Sequence, residues 1–90
     1  MPQSILAVIP AFNPGPVVLE VVEKTLNYID KIVLVDDGSN KQNKEHLRKC
    51  VEIECDKIEL ITLEHNRGKG YALFRGMERG LELCQDYINH

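Results

Sequence analysis

Ile32-Val33-Leu34-Val35-Asp36-Asp37-Gly38-Ser39 decides the reading of this chain. Four consecutive β-favouring apolar residues make a strand buried on both faces, as in a parallel sheet covered by helices. Two carboxylates, a glycine and a serine follow at once. A strand buried on both sides has no use for charge, so Asp36 and Asp37 are expected just past its end. Gly38 permits a tight turn there, and Ser39 or Asn40 can cap a following helix. Alone, the octapeptide is equally a polar turn with a helix cap. Its flanks decide otherwise.

Upstream, Ser4–Ile9 reads as a first strand, apolar on both faces and ended by Pro10. Ala11–Pro16 is the loop after it, with Pro16 suited to a first helical turn. From Val17 to about Ile29, apolar Val18, Leu19, Val22, Leu26 and Ile29 recur at steps of three and four, an amphipathic helix. Downstream, a second helix is expected from Asn40 to about Glu54, with Leu47, Cys50, Val51 and Ile53 as its apolar positions. The third strand, Lys57–Leu63, sets Ile58, Leu60 and Thr62 against Glu59, Ile61 and Leu63; Glu59 suggests a place near the sheet edge. A polar turn, Glu64–Gly70, leads into a third helix from about Tyr71 to Ile88. Its core stripe is expected to be Leu73, Met77, Leu81, Cys84 and Ile88, with Gly76 and Gly80 permitting close approach to the sheet.

The rhythm is strand then helix, three times, with strand starts about 27 residues apart. Such connections give right-handed parallel βαβ units. The fold expected is α/β, a three-stranded Rossmann-like parallel sheet with three helices in one domain over residues 1–90. The three distinctive loops all follow strands and therefore share the C-terminal edge of the sheet, where open α/β sheets bind ligands.

Composition narrows the function. Ninety residues with 43% hydrophobic and 28% charged residues suit one small globular domain. A net charge of −3 argues against nucleic acid and anionic lipid as partners. The longest apolar run, Ile5 to Phe12, contains Pro10 and is far short of the ~20 residues a membrane span needs. The start lacks the basic region of a signal peptide. Cys50, Cys55 and Cys84 have no paired metal-ligand spacing and are expected as reduced thiols of a cytoplasmic protein, with Cys84 in the core. His46, His65 and His90 are scattered, so no zinc site is expected.

At the rim, Asp36 and Asp37 could bind a cation, hydrogen-bond a base or ribose, or act as an acid/base pair. Being adjacent, their side chains diverge, so one should face the crevice and the other support the turn. Lys69 between two glycines at a helix start offers a cation and backbone N–H groups to a phosphate. Neither the P-loop pattern nor a G-x-G-x-x-G after the first strand is present, which disfavours a nicotinamide-cofactor domain. A phosphoacceptor receiver is disfavoured because both aspartates follow the second strand.

Three segments together resemble the opening of a GT-A-fold family 2 glycosyltransferase. They are Val8-Ile9-Pro10-Ala11-Phe12-Asn13, Val33-Leu34-Val35-Asp36-Asp37-Gly38-Ser39, and Asn66-Arg67-Gly68-Lys69-Gly70-Tyr71-Ala72-Leu73 with Gly76. The last looks most like the dolichol/polyprenyl-phosphate sugar transferase branch. The resemblance implies a nucleotide-sugar partner of UDP or GDP type. It implies that Pro10, Ala11 and Phe12 line the base pocket, that Asp37 with Asp36 contacts base or ribose, and that Lys69 lies near the nucleotide. Pro14 stands where the family often has an acidic residue, which leaves one ribose or base contact in doubt. The family's metal-binding Asp-x-Asp follows a fourth strand, and this sequence ends at His90 before one; the acceptor half with its catalytic base is also missing. A Mg or Mn ion is therefore expected only for a full-length enzyme, with no cofactor, metal ligand or catalytic residue in these residues. The expected function is the nucleotide-sugar-binding, truncated N-terminal portion of such an enzyme, inactive in sugar transfer by itself. The alternative is a non-catalytic nucleotide-binding or assembly module. By the same resemblance the strand order is 3-2-1-4, with the fourth strand beside Ile5–Ile9; without that strand the first becomes a sheet edge with no internal proline, bulge or charge, and a homodimer through it is expected.

Overall fold

The computed structural model describes residues 5–88, with side chains described to Cys84. Strands β1 (Leu6–Ala11), β2 (Lys31–Asp36) and β3 (Ile58–Thr62) alternate with helices α1 (Val17–Thr25), α2 (Lys41–Ile53) and α3 (Lys69–Ile88). All pairing is parallel, in the order β1-β2-β3, so both connections are βαβ crossovers. Ser4 and His90 lie outside the described residues.

β2 is central and its residues from Ile32 to Asp36 are buried, as a strand covered on both faces requires. Ile32 and Leu34 join Val18, Val22, Leu47, Cys50 and Ile58 under α1 and α2. Val33 and Val35 join Leu63 and Ala72 under α3. Cys50 sits fully inside, where burial pushes its thiol up to about 11 and keeps it protonated and inert. Asn40 caps α2, its Oδ1 accepting from Asn43 N–H at 3.0 Å. α1 ends at Thr25 rather than near Ile29. Its last turn tightens, with Asn27 N–H on Lys24 C=O and Tyr28 N–H on Thr25 C=O. Leu26 and Ile29 still pack on the core.

Three further expectations are corrected. Pro10 does not end β1: it pairs with Val35, and the strand continues to Ala11. Ile5 and Ala11 carbonyls both accept from the β2 side, so Leu6, Val8 and Pro10 turn their backbone polar groups to the outer edge. Proline's missing N–H costs nothing there, and the edge does hold an internal proline. Asp36 is not beyond β2; it is the strand's last residue, 1% exposed. Burial there is tolerated because its charge is fully partnered, as described below.

The third correction is on α3. Ala72, Gly76 and Gly80 are its buried seam, while Met77 is 58% and Leu81 68% exposed and Cys84 is exposed too. The periodicity was real but the sheet chose the small residues, since β1 and β2 already supply Val8, Val33 and Val35 to fill the layer. The Ile88 side chain lies outside the described residues.

β3 is the other edge, as Glu59 suggested. Arg79 of α3 forms a fork on Glu59, donating from Nε to Oε2 and from Nη2 to Oε1 at 3.0 Å. That hydrogen bond, ahead of simple charge attraction, holds the Glu59 carboxyl below its ordinary 4.5, against a smaller opposing push from burial. A carboxylate with a lowered folded value stabilises fully above the ordinary range and loses that contribution as pH falls through the folded value. The pair is about one-third exposed, so its worth is under about 1 kcal/mol. Glu59→Gln is expected to flatten the acid side of the stability profile, from about pH 5 downward. Urea titrations at several pH values check this; the slope above neutrality should not change.

Candidate functional site at the strand ends

Ala11, Asp36 and Thr62 are partners in register, so three loops leave the sheet at one level. The backbone ladder runs one step further, with Asp37 N–H on Ala11 C=O at 2.8 Å and Leu63 N–H on Asp36 C=O at 2.9 Å. Convergence on one rim, expected from the loop positions, is what the structure has.

Side chains then tie the loops together. Asp36 Oδ1 accepts from Ser39 N–H at 2.8 Å and closes the Gly38 turn, while Oδ2 takes Lys44 Nζ at 3.0 Å. Asp37, 3% exposed, accepts from Arg67 N–H at 2.8 Å and Gly68 N–H at 3.0 Å. It anchors the third loop at the foot of α3, where free N–H groups favour an anion. Asn13 adopts φ 46°, a left-handed conformation that asparagine tolerates. Its N–H donates to Ser39 Oγ at 2.9 Å and its Oδ1 accepts from Asn40 N–H at 2.8 Å. Gly15 N–H donates to Asn43 Oδ1 at 2.6 Å. No buried side-chain N or O atom among the described residues lacks a partner.

The six residues singled out from sequence therefore divide. Both aspartates are at the rim, but both are engaged within the chain, rather than one facing the crevice. Ala11 packs its methyl into the core beneath α1 and brings only its peptide to the rim. Pro10 is half-buried one step below it in β1. Phe12, 50% exposed, and Lys69, exposed at the first position of α3, are the side chains open to a ligand. Arg67 adds a guanidinium 5.5 Å from the Tyr71 ring centroid, a cation–π contact beside Lys69. Sequence reasoning missed Asn13 and Ser39, which bind loop to loop, and Asn43 and Lys44, by which α2 holds the first loop and the end of β2. The signal available was Asn13 between Phe12 and Pro14-Gly15, a turn-forming run.

A divalent cation does not fit this donor set. The Asp36 carboxylate is neutralised by Lys44, Asp37 is spent on two amides, and no group of three His, Cys, Asp or Glu among the described residues could hold a metal ion.

The sequence matches Glycosyl transferase family 2 over residues 6–80. The chain belongs to that family. Among relatives, it is 32% identical over 87 residues to dolichyl-phosphate β-glucosyltransferase of Mus musculus, a match covering 83% of this chain and 27% of that protein. It is 30% identical to undecaprenyl-phosphate 4-deoxy-4-formamido-L-arabinose transferase of Edwardsiella ictaluri over 80 residues, 82% of this chain and 25% of that one. The chain thus spans about a quarter of the length of the curated relatives it matches. In structure it is similar to the mannosyltransferase PcManGT of Pyrobaculum calidifontis in complex with GDP-Man and Mn2+. The TM-score is 0.72 at 22% identity, over 83% of this chain and 24% of that one. Three parallel strands and three helices are the N-terminal, Rossmann-like half of a GT-A fold. No described helix of this family 2 chain is long and apolar enough to cross a membrane.

Proposed function

We propose that these residues form the nucleotide subsite for a nucleoside-diphosphate sugar, of UDP or GDP type, and do not transfer the sugar by themselves. The observation that supports this is the pre-tied rim of a family 2 chain: three loops fixed to one another, with an aromatic face and a cation open above them. A nucleotide brings a flat base and an anionic diphosphate. Phe12 suits the first, and Lys69 with the free N–H groups of the first α3 turn suits the second. Asp37 contributes by holding the Arg67–Gly68 peptides, and with them Lys69, in place at the rim. Breaking the sugar–diphosphate bond leaves charge on the departing diphosphate, and a single lysine is weak compensation for it. Three free cysteines support a reducing compartment such as the cytoplasm.

Titrating 15N-labelled protein with UDP and GDP tests the subsite. Binding is expected with Kd of roughly 0.1–1 mM, a modest free energy suited to a partial site, with shifts confined to the three loops. Asp37→Ala should weaken it more than Asp36→Ala, because it releases the loop that carries Lys69. Equal effects, or shifts at the opposite edge of the sheet, would count against the subsite. Incubation with UDP- and GDP-sugars is expected to give no transfer above a no-protein control. A second reading, an assembly module without nucleotide binding, is favoured by the internal engagement of both aspartates. Absence of shifts at millimolar nucleotide would select it.

A further inference from the structure

The first loop is held by a helix it does not lead into, and we propose that Asn13 is a positioning residue for the nucleotide base, acting through Phe12. This rests on the nucleotide subsite proposed above and divides it into two separately held halves. The carbonyls of Gly15 and Pro16 open α1, accepting from Val18 and Leu19 N–H. The loop's own donors and the Asn13 side chain go elsewhere. Asn13 and Gly15 are bonded to Ser39, Asn40 and Asn43, 26 to 28 residues on, at the start of α2.

The α2 terminus is built to do this. Asn40 and Asn43 stand at the two ends of a capping box, in which the N-cap side chain takes the N3 amide and the N3 side chain returns to the N-cap amide. Only the first bond is made here, Asn43 N–H on Asn40 Oδ1 at 3.0 Å. Asn40 N–H donates instead to Asn13 Oδ1 at 2.8 Å, and Asn43 Oδ1 accepts from Gly15 N–H at 2.6 Å. The two groups that would close the box on each other both close on the first loop. Asparagine at N3 suits this, because its side chain is one methylene shorter than the Glu or Gln of a closed box.

Phe12 consequently sits between two fixed peptides. Before it, Ala11 C=O accepts from Asp37 N–H at 2.8 Å; after it, Asn13 N–H donates to Ser39 Oγ at 2.9 Å. Ser39 is 3% exposed, so little water competes for its hydroxyl. Asn13 is itself left-handed at φ 46°, a conformation that persists where the surroundings over-determine it. An exposed ring whose backbone is held on both sides loses less conformational freedom on stacking against a base than a ring on a free loop. The diphosphate half is held differently. Lys69 follows the Arg67–Gly68 peptides that Asp37 grips, and none of the Asn13 bonds reaches that loop.

Titration of the 15N-labelled 90-residue chain with UDP, GDP and inorganic pyrophosphate tests this. Asn13→Gly adopts φ 46° freely and deletes only the side-chain bond. It should weaken nucleotide binding roughly fivefold and leave pyrophosphate within about twofold, since one hydrogen bond on the base half is lost. Asn13→Asp keeps both the left-handed tolerance and the Oδ1 acceptor, and should restore nucleotide binding. Asn43→Glu lets the box close on Asn40 N–H, so it should keep the α2 cap and weaken nucleotide binding as Asn13→Gly does. Because it works from the helix side, it carries the test even where Asn13→Gly folds poorly. Nucleotide and pyrophosphate binding that fall together overturn the inference while the subsite stands. So does nucleotide binding that Asn43→Glu leaves unchanged, or that Asn13→Asp does not restore. No nucleotide binding by the unaltered chain overturns subsite and inference together.

Discussion

Gly38→Ala is expected to lower the stability of the chain by about 3 kcal/mol or more and to shift its melting temperature by roughly 15 °C. Two penalties add. Gly38 holds φ +77°, a left-handed conformation that costs an L-residue about 1 kcal/mol or more. A Cβ there would also lie 2.5 Å from Asn66 N and 2.6 Å from His65 C, which are backbone atoms and cannot rotate aside. The third loop must therefore lift off the second, and the Asp37 bonds to Arg67 and Gly68 go with it. Gly68→Ala is the control, since φ +96° carries the conformational cost but nothing lies within 4 Å. Thermal melts of the two variants separate the contributions; similar losses would mean that the loop contact is soft.

Gly76 gives the second large effect, through packing alone. Its Cβ would overlap Val8 Cγ1 at 2.2 Å, and valine has little χ1 freedom with which to yield. Gly76→Ala gains about 1 kcal/mol of helix propensity, yet a net loss of about 2 kcal/mol is expected from overpacking. Val8→Ala alone should cost a similar amount by opening a cavity. Together they should cost at least 1 kcal/mol less than the sum, because one methyl fills the space the other vacates. Urea denaturation of the four proteins measures this, and simple additivity would show that helix and strand do not meet as described.

Much of this was readable from the sequence for one reason: period and loop placement are set locally. Ile32–Val35 could only be a doubly covered strand, and three loops after three strands could only share an edge. What was not readable depends on what lies across a contact. Pro10 breaks a strand only when its amide would face a partner, and here it faces outward. The Leu73–Met77–Leu81 stripe and the Ala72–Gly76–Gly80 seam are both regular on a helix; the side chains of β1 and β2 decide which is buried. For Asp36 and Asp37 the sequence located the rim, but Lys44 and the amides that claim them come from elsewhere in the chain.

Asp37 grips the peptide amides of Arg67 and Gly68 rather than their side chains. Every residue except proline brings such an amide. The geometry of the third loop is thus indifferent to which side chains stand at His65, Arg67 and Lys69, and these are free to change without unsettling the frame. A lineage, or an engineer, can alter the surface the rim presents by trading those three positions while the scaffold beneath them stays as it is. Change at Asp37 itself has no such freedom, since a single substitution there would move all three at once.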